Sequence, residues 1–451
     1  MEPGHPEYEA GRGVFNQRVD ARPKVIARCA GVSDVVAAVA HAREHRLRVD
    51  VRSTGTNLGG IKAGDEMVVD LSLMRGVQID PEQRVARIQG GVSGGDLQIE
   101  ATLHGLAGVT GGLSMTGVGL MLGGGIGHLA SRAGYSADNI LSVELVTASG
   151  QVVTASPEEN PDLYWAVRGS TGNFGVVTTL EVRLHEVPPL VHAGTMSWSL
   201  DHLDGPVQAL RDSSWGSDRS NLLPELDSAS AEGPAALNLF ICHSGAPEEA
   251  LADLECLRSF GAPDEESISA VPFRELTFMF DGMVGPSRAT IDQQSVSAIS
   301  DELIDALVEK IREPAGTGAR FIELLTSRGA LGRAPEFPSA LREKAVGPTW
   351  MINPGCWWLD AAEDAGHLQW VEDVVQTTRQ IAPTRCGQHP NTVSVTHDLD
   401  GVRQMYGDRF DRLQALKTQW DPDNMFRGNH NIPPSDDPAP ASALANSAYF
   451  Q

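Results

Sequence analysis

The strongest chemical signal in the sequence lies in two glycine-rich loops. The first, Arg52-Ser53-Thr54-Gly55-Thr56-Asn57-Leu58-Gly59-Gly60, follows a strand-like run and is rich in small and hydroxyl side chains. Successive backbone N–H groups in such a loop converge on an anion, so phosphate is held without a lysine. The second, Gly111 to Gly127, places eight glycines in seventeen positions. Glycine at that density marks positive φ or close approach of the backbone to a ligand. Its spacing departs from GxGxxG, and the βαβ frame with an acidic residue about 20 positions on is not evident, which disfavours a Rossmann fingerprint. Two such loops about 60 residues apart, each beside a strand pattern, point to one extended ligand held between two subdomains.

Two acids stand in apolar surroundings: Asp281 in Phe278-Met279-Phe280-Asp281-Gly282-Met283, and Glu323 in Phe321-Ile322-Glu323-Leu324-Leu325. Burial there raises a carboxyl pKa and suits a general base. Solvent-facing strand positions produce the same pattern. Trp357 and Trp358 alternate on a strand-like run, so one faces a pocket and the other the helices. Stacking on an aromatic substrate and core packing are the two roles open to them.

The elements that must carry these groups are short and mixed. Val32, Val35, Val36, Val39 and Ala42 recur at helical spacing after Ser33, a candidate cap. Arg48–Val51, Met67–Leu71 and Val85–Gln89 read as strands. Ile140–Thr147 alternates, turns at Ser149-Gly150 and continues in Val152-Val153, the pattern of a hairpin. Asn160-Pro161-Asp162 starts a helix that Gly169 ends. After Val187-Pro188-Pro189 the glycine-rich loops thin out. Amphipathic stretches appear instead, such as Asp360 to Ala382 with Leu368, Val371, Val374 and Val375. Most of the tryptophans fall here, Trp215 and Trp350 among them. The pattern is α+β, and the Ser/Asp/Pro/Ala tail beyond Pro434 lacks a core-forming repeat.

A chain of 451 residues implies two or three domains. Its 41% hydrophobic and 21% charged content is that of a globular protein. A net charge of −24 disfavours nucleic acid and anionic membrane surfaces as partners. Five cysteines, Cys29, Cys242, Cys256, Cys356 and Cys386, are scattered without a CxxC pair, which suits a reducing compartment and supports no metal site. The start Met1-Glu2-Pro3-Gly4-His5 has no basic leader, and no window approaches the roughly 18 apolar residues of a membrane span. The expected location is cytoplasmic.

The order of motifs resembles the berberine-bridge branch of the vanillyl-alcohol-oxidase-type flavoproteins over residues 22 to 188 and 402 to 434, and is most similar to bacterial 6-hydroxynicotine oxidase-like members. The matching runs are Arg22-Pro23 with Ile26-Ala27-Arg28-Cys29, the Arg52-Ser53 loop, Gly117-Val118 with Leu122-Gly123-Gly124-Gly125-Ile126-Gly127, and Ser136-Ala137-Asp138-Asn139-Ile140-Leu141. They continue in Pro161 to Gly169, Gly172-Asn173-Phe174-Gly175-Val176-Val177-Thr178, Asp421 to Arg427 and Asn429-His430-Asn431-Ile432. The resemblance implies an FAD-binding domain of the PCMH type, built of two α/β subdomains, over residues 1–188. It implies a substrate domain with an antiparallel sheet backed by helices over 189–401. A segment over 402–434 returns to the FAD domain, leaving 435–451 as a disordered tail.

By the same resemblance Arg52, Ser53, Thr54, Gly55, Thr56, Asn57 and Leu58 wrap the FAD pyrophosphate and flavin edge. Leu113, Ser114, Thr116, Gly117, Gly119 and Gly123 pass the isoalloxazine and ribityl chain, and Asp138, Val177, Asn429 and Asn431 supply further cofactor contacts. His389, Asn391 and His397, on a strand-like stretch after Cys386, should face the flavin, where a histidine of near-neutral pKa accepts a proton. Tyr406 is a candidate phenol, because the family's Gly-x-Asn-Tyr-x-Arg-Leu reads Gly407-Asp408-Arg409-Phe410-Asp411-Arg412-Leu413.

The sequence also departs from the family. Thr56 stands where members carry the histidine bonded to the flavin, and Leu113 or Ser114 stands where a cysteine makes the second bond. FAD should therefore be held noncovalently and be a weaker oxidant. Thr54 replaces a glycine, and Leu58 a tyrosine, which removes a phenolic base from that loop. Thr116, at the position that gates O2, is compatible with access. The expected activity is FAD-dependent oxidation of a C–N or C–O bond in a small aromatic or heterocyclic metabolite, with O2 as acceptor. A dehydrogenase with another acceptor, a redox-neutral cyclase or isomerase, and a non-catalytic FAD scaffold remain as alternatives.

Overall fold

The computed structural model describes residues 1–58, 66–212, 216–229, 234–283, 285–343, 349–383, 388–393, 399–428 and 430–435. Gly59, Gly60, Trp215, Cys386, His397, Asn429 and residues 436–451 lie outside the described residues.

Among the described residues, three sheets follow one another along the chain. The first is parallel, with β1 (Val25–Arg28) and β2 (Val49–Arg52) flanking β3 (Met67–Asp70). The helix Val32–His45 crosses between its first two strands and buries Val35, Ala38, Val39 and Ala42, one stripe at helical spacing. Its N-cap is Gly31, and Ser33 sits inside the first turn, so the expected serine cap is not formed. Asp34 serves that end instead, accepting the Ala30 N–H at 2.9 Å.

The second sheet joins β4 (Val77–Asp80), β5 (Val85–Gln89), β6 (Leu106–Gly108), β7 (Ile140–Val146), β8 (Val152–Ala155) and β9 (Val176–Glu186). All its pairings are antiparallel, and β7 with β8 is the hairpin expected at Ser149-Gly150. The C-terminal helices Leu399–Tyr406 and Phe410–Trp420 return to this sheet. Val402, Met405, Phe410, Leu413 and Leu416 join Leu163, Phe174 and Leu180 in one core.

The chain leaves the second sheet at Glu186 and enters the third at Val191. This sheet contains β10 (Val191–Ser199), β11 (Ser220–Asp227), β12 (Ala236–His243), β13 (Glu265–Glu266), β14 (Ser269–Val271), β15 (Arg288–Ile291), β16 (Gln294–Val296), β17 (Ala319–Thr326) and β18 (Trp350–Trp358). Every pairing in it is antiparallel. Period-two alternation turns Leu226, Ile322, Leu324, Ile352 and Trp358 to one face, where the helices Asp301–Arg312 and Asp364–Ile381 cover them. The second of these helices buries His367, Trp370, Val371, Val374, Val375 and Thr378. Leu368, expected on that stripe, stands at its edge and is 38% exposed. Among the described residues no helix is long and apolar enough to cross a membrane.

Candidate functional site

The opposite face of the third sheet closes over a cavity of about 390 Å³, whose other walls are the two glycine loops and the turn His389–Thr392. β2 delivers the first loop. Arg52, at its end, donates to fully buried Asp70 at 2.6 Å and to the Gly13 carbonyl at 3.0 Å, so its guanidinium is held by protein groups. Gly55 takes φ +75°, whereas Thr54 is not among the residues with positive φ, so threonine fits there without backbone strain. The Thr54 and Thr56 hydroxyls lie 3.1 Å apart. Asn16, buried, pins the end of the loop: its Nδ2 donates to the carbonyls of Leu58 and of Ala289 in β15, both at 2.9 Å.

The second glycine loop meets the first at Gly117. A Cβ there would lie 2.6 Å from Thr54 Cγ2 and 2.8 Å from Ser53 Oγ, so no larger residue permits the contact. Asp281 anchors this loop, accepting the Ser114 N–H at 3.0 Å and its hydroxyl at 2.5 Å. Thr116 Oγ1 donates to the Leu113 carbonyl at 2.8 Å.

The cavity wall holds Arg52 to Leu58, Leu113, Thr116, Gly117, Gly119 and Val177, and, among the acid–base candidates, Glu323, His389 and Asn391. Ser114, Gly123, Asp138, Asn431, Asp281 and Tyr406 are not on it. Gly123 packs under Asn391, whose Oδ1 lies 2.0 Å from where a Cβ would stand. Asp138 is ion-paired with Arg342 and accepts the Tyr135 N–H at 3.0 Å. Half-buried Asn431 precedes Ile432, whose N–H donates to Asn173 Oδ1 at 3.0 Å. Tyr406 lies in the core and donates to the Gly169 carbonyl at 3.1 Å, and burial raises its pKa above the ordinary phenol value. It is a packing residue.

The stretch expected to be a strand at His389 is a turn, closed by Thr392 N–H to the His389 carbonyl at 3.0 Å. It leans on the glycine-loop side. The His389 ring stacks on Tyr135 at 5.5 Å, and Asn391 Nδ2 donates to the Leu120 carbonyl at 2.8 Å. Burial pushes the His389 imidazole down to about 4, so it is neutral near pH 7. Trp358 faces the helices, stacked on His367 at 4.6 Å, and Trp357 takes the other face, stacked on Phe321 at 5.8 Å.

Glu323 belongs to a polar row that crosses the sheet. Ser197 on β10 lies opposite Asn238 on β12, Asn238 opposite Glu225 on β11, Glu225 opposite Glu323 on β17, and Glu323 opposite Asn353 on β18. Directly opposed residues share a face, so the row points as Glu323 and Asn353 do, toward the cavity. Asn353 Nδ2 donates to Glu323 Oε2 at 2.8 Å, and Asn238 Nδ2 donates to Asp227 Oδ2 at 2.6 Å. Burial, then the charges of Asp227 and Glu323, raises the Glu225 carboxyl well above its ordinary range. Burial also raises Glu323, against the Asn353 hydrogen bond. Sequence reading missed Asn16, Glu225, Asp227 and Asn353. The i,i+2 spacing Leu223-x-Glu225-x-Asp227 was the available signal for the sheet acids.

The FAD binding domain family matches residues 23–156, and the family described as berberine and berberine like matches residues 392–433. The chain is 33% identical to (R)-6-hydroxynicotine oxidase of Paenarthrobacter nicotinovorans over 96% of both proteins. It belongs to the berberine-bridge-like FAD-linked oxidoreductases. The crystal structure of 6-hydroxy-D-nicotine oxidase from Arthrobacter nicotinovorans superposes with TM-score 0.83 at 29% identity, covering 96% of this chain and 97% of that one. A chitooligosaccharide oxidase shares the fold at TM-score 0.83 and 18% identity, over 96% and 97% of the two chains.

The cavity of this family member suits FAD. Its walls are mostly small and apolar, Gly117 lets the two loops touch, and Ser53 Oγ and His389 Nε2 are buried with no partner among the described residues. Unsatisfied buried polar groups of this kind call for a ligand.

Proposed function

We propose that the protein holds FAD noncovalently and oxidises a C–N or C–O bond of a small aromatic or heterocyclic metabolite, with O2 as the final acceptor. The observation that carries the reading is Glu323, an acid of raised pKa on the wall facing the two glycine loops. FAD, when bound, supplies the hydride acceptor. Glu323 takes the proton from the substrate N–H or O–H, and Asn353 orients that carboxylate. Leu223, Leu325, Met351 and Ile291 line the same face and exclude water from the reacting carbon. The first loop and the second, steadied by Asp281, hold the cofactor beneath them.

Thr56, Leu113 and Ser114 supply neither an imidazole nor a thiol, and none of the described wall residues is a cysteine. Both facts support reversible binding. The heterocyclic substrate class is supported by the relative named as a hydroxynicotine oxidase. The reading divides the chain into a cofactor part, 1–188 with 402–434, and a substrate part, 189–401.

Acid precipitation of the purified protein tests the attachment: the yellow colour stays in the supernatant, and a coloured pellet refutes noncovalent binding. Candidate amines and alcohols should bleach the flavin, and air should restore it with release of H2O2. Bleaching without recovery in air assigns another acceptor.

A further inference from the structure

Residues 13–19 form a strap between the first glycine loop and the edge of the third sheet. Phe15 N–H donates to the Gly55 carbonyl in the loop, and Gln17 N–H to the Ser287 carbonyl just before β15, both at 2.9 Å. Val14 and Val19, near the two ends of the strap, line the cavity; Asn16, between them, does not. β15 is the last strand on its side of the sheet, so the backbone groups on its outer side need partners from elsewhere in the chain.

Asn16 supplies them with its side chain. Its Nδ2 donates to the Ala289 carbonyl at 2.9 Å and its Oδ1 accepts the Ala289 N–H at 3.2 Å, so the amide stands in for a paired strand residue. The second hydrogen on Nδ2 goes to the Leu58 carbonyl at 2.9 Å. Among the described residues no other group donates to that carbonyl. Asn16 is fully buried. A primary amide of this reach is the side chain that offers two donors and an acceptor here: an aspartate sets a carboxylate against two carbonyls, and a leucine of similar size leaves three buried backbone groups unpaired.

We propose that Asn16 is the positioning residue that holds the first glycine loop shut on the cofactor, so that bound FAD leaves only when the two Nδ2 hydrogen bonds break. This rests on the reading of the cavity as a noncovalent FAD site and goes beyond it. The strap ties the loop to the third sheet across one side of the cavity, and Asn16 is the point where the two are joined by a single side chain. Ala289 lies two positions from Ile291, a wall residue on the same face of β15. Release of the amide therefore frees the end of the loop and the edge strand together. Asn16 acts through Leu58 and Ala289 and takes no part in the chemistry at the flavin.

The test follows FAD release from the loaded protein on dilution, by the rise in flavin fluorescence. Asn16→Asp keeps the size and the acceptor but loses the paired donors, and should release FAD at least about tenfold faster than the wild type, because two buried hydrogen bonds are compromised. The ratio of the two rates should grow as pH rises and the new carboxyl ionises against the Leu58 and Ala289 carbonyls. Leu307→Val, in the helix layer on the far face of the third sheet, controls for a general loss of stability and should leave the release rate within about twofold of the wild type. If Asn16→Asp does not fold, hydrogen exchange of the wild type decides: the Ala289 amide should exchange more slowly with FAD than without it, and equal exchange would overturn the proposal. So would release from Asn16→Asp at the wild-type rate at every pH, or an equal acceleration in Leu307→Val. The two readings fail differently. A flavin that stays with the denatured chain sinks the noncovalent reading and the latch with it, whereas reversible FAD released equally fast from wild type and Asn16→Asp sinks the latch alone.

Discussion

Asp138 and Arg342 form a buried ion pair between the stretch that matches the FAD binding domain family and the loop that follows β17. Arg342 Nε lies 3.3 Å from Asp138 Oδ1, and both side chains are less than a tenth exposed. The same guanidinium donates to the Leu331 and Arg333 carbonyls at 2.5 and 2.8 Å. Asp138 thus fastens the site from outside its wall. Arg342→Ala strands a buried carboxylate and should cost about 3–5 kcal/mol in chemical denaturation. The Asp138→Asn/Arg342→Met double variant should recover part of that loss, and additive single effects would contradict the pairing.

Glu323 and Tyr406 were both candidate bases, and they separate cleanly by experiment. Glu323→Gln should retain FAD while kcat/KM falls by about 10²–10⁴. Tyr406→Phe removes one buried hydrogen bond and should lower stability by about 1 kcal/mol with kcat little changed. In the wild type, kcat/KM should drop as pH falls through the raised Glu323 value, above the ordinary carboxylate range. That acid limb should vanish in Glu323→Gln.

The carboxyl row also sets a pH signature in stability. Burial raises Glu225, Asp227 and Glu323, so the folded chain keeps protons that the unfolded chain releases. The folded state of the flavin-free protein therefore loses stability as pH rises above the ordinary carboxylate range, and regains it below. Glu225→Gln should raise Tm at pH 8 and leave it nearly unchanged at pH 4, as read by calorimetry. A gain of equal size at both values would mean that Glu225 is not protonated on folding.

Lys417 clamps the returning C-terminal segment. Its fully buried Nζ donates to Asp421 Oδ2 at 2.6 Å and to the carbonyls of Asn173 and Phe426, both at 2.7 Å. Lys417→Met leaves Asp421 buried without its cation and should destabilise the chain by about 3–5 kcal/mol. Burial also pushes the lysine down to about 8. Its contribution therefore weakens as pH falls from its unfolded value toward 8, which a Tm series from pH 10 to 7 would reveal by comparison with the variant.

Much of this was legible in the sequence because it was local. Glycine density in 111–127, the alternation at 140–153 and the helical stripe at 364–381 each declare themselves within a few turns of chain. The polar row was not legible, because its members come from five strands and become neighbours only through register. His389 misled for a related reason. Its run reads as extended, yet Pro390 and contacts from Gln293 fold it into a turn, with Gln388 Nε2 donating to the Gln293 carbonyl at 2.7 Å. Asp138 and Asp281 have the right chemistry for the site, but each spends its carboxylate on a neighbour that only the tertiary structure supplies.

The Lys417 clamp has a consequence for biosynthesis. Asn173, in the turn whose Thr171, Gly172 and Gly175 line the cavity, is secured by the Lys417 ammonium and the backbone of Ile432, which follow it in the chain by 244 and 259 residues. A ribosome that has completed both glycine loops has not yet made the residues that hold this part of the cavity wall in place. Cofactor loading should therefore wait for synthesis of the Lys417–Ile432 segment, and a nascent chain stalled before Lys417 should retain flavin poorly.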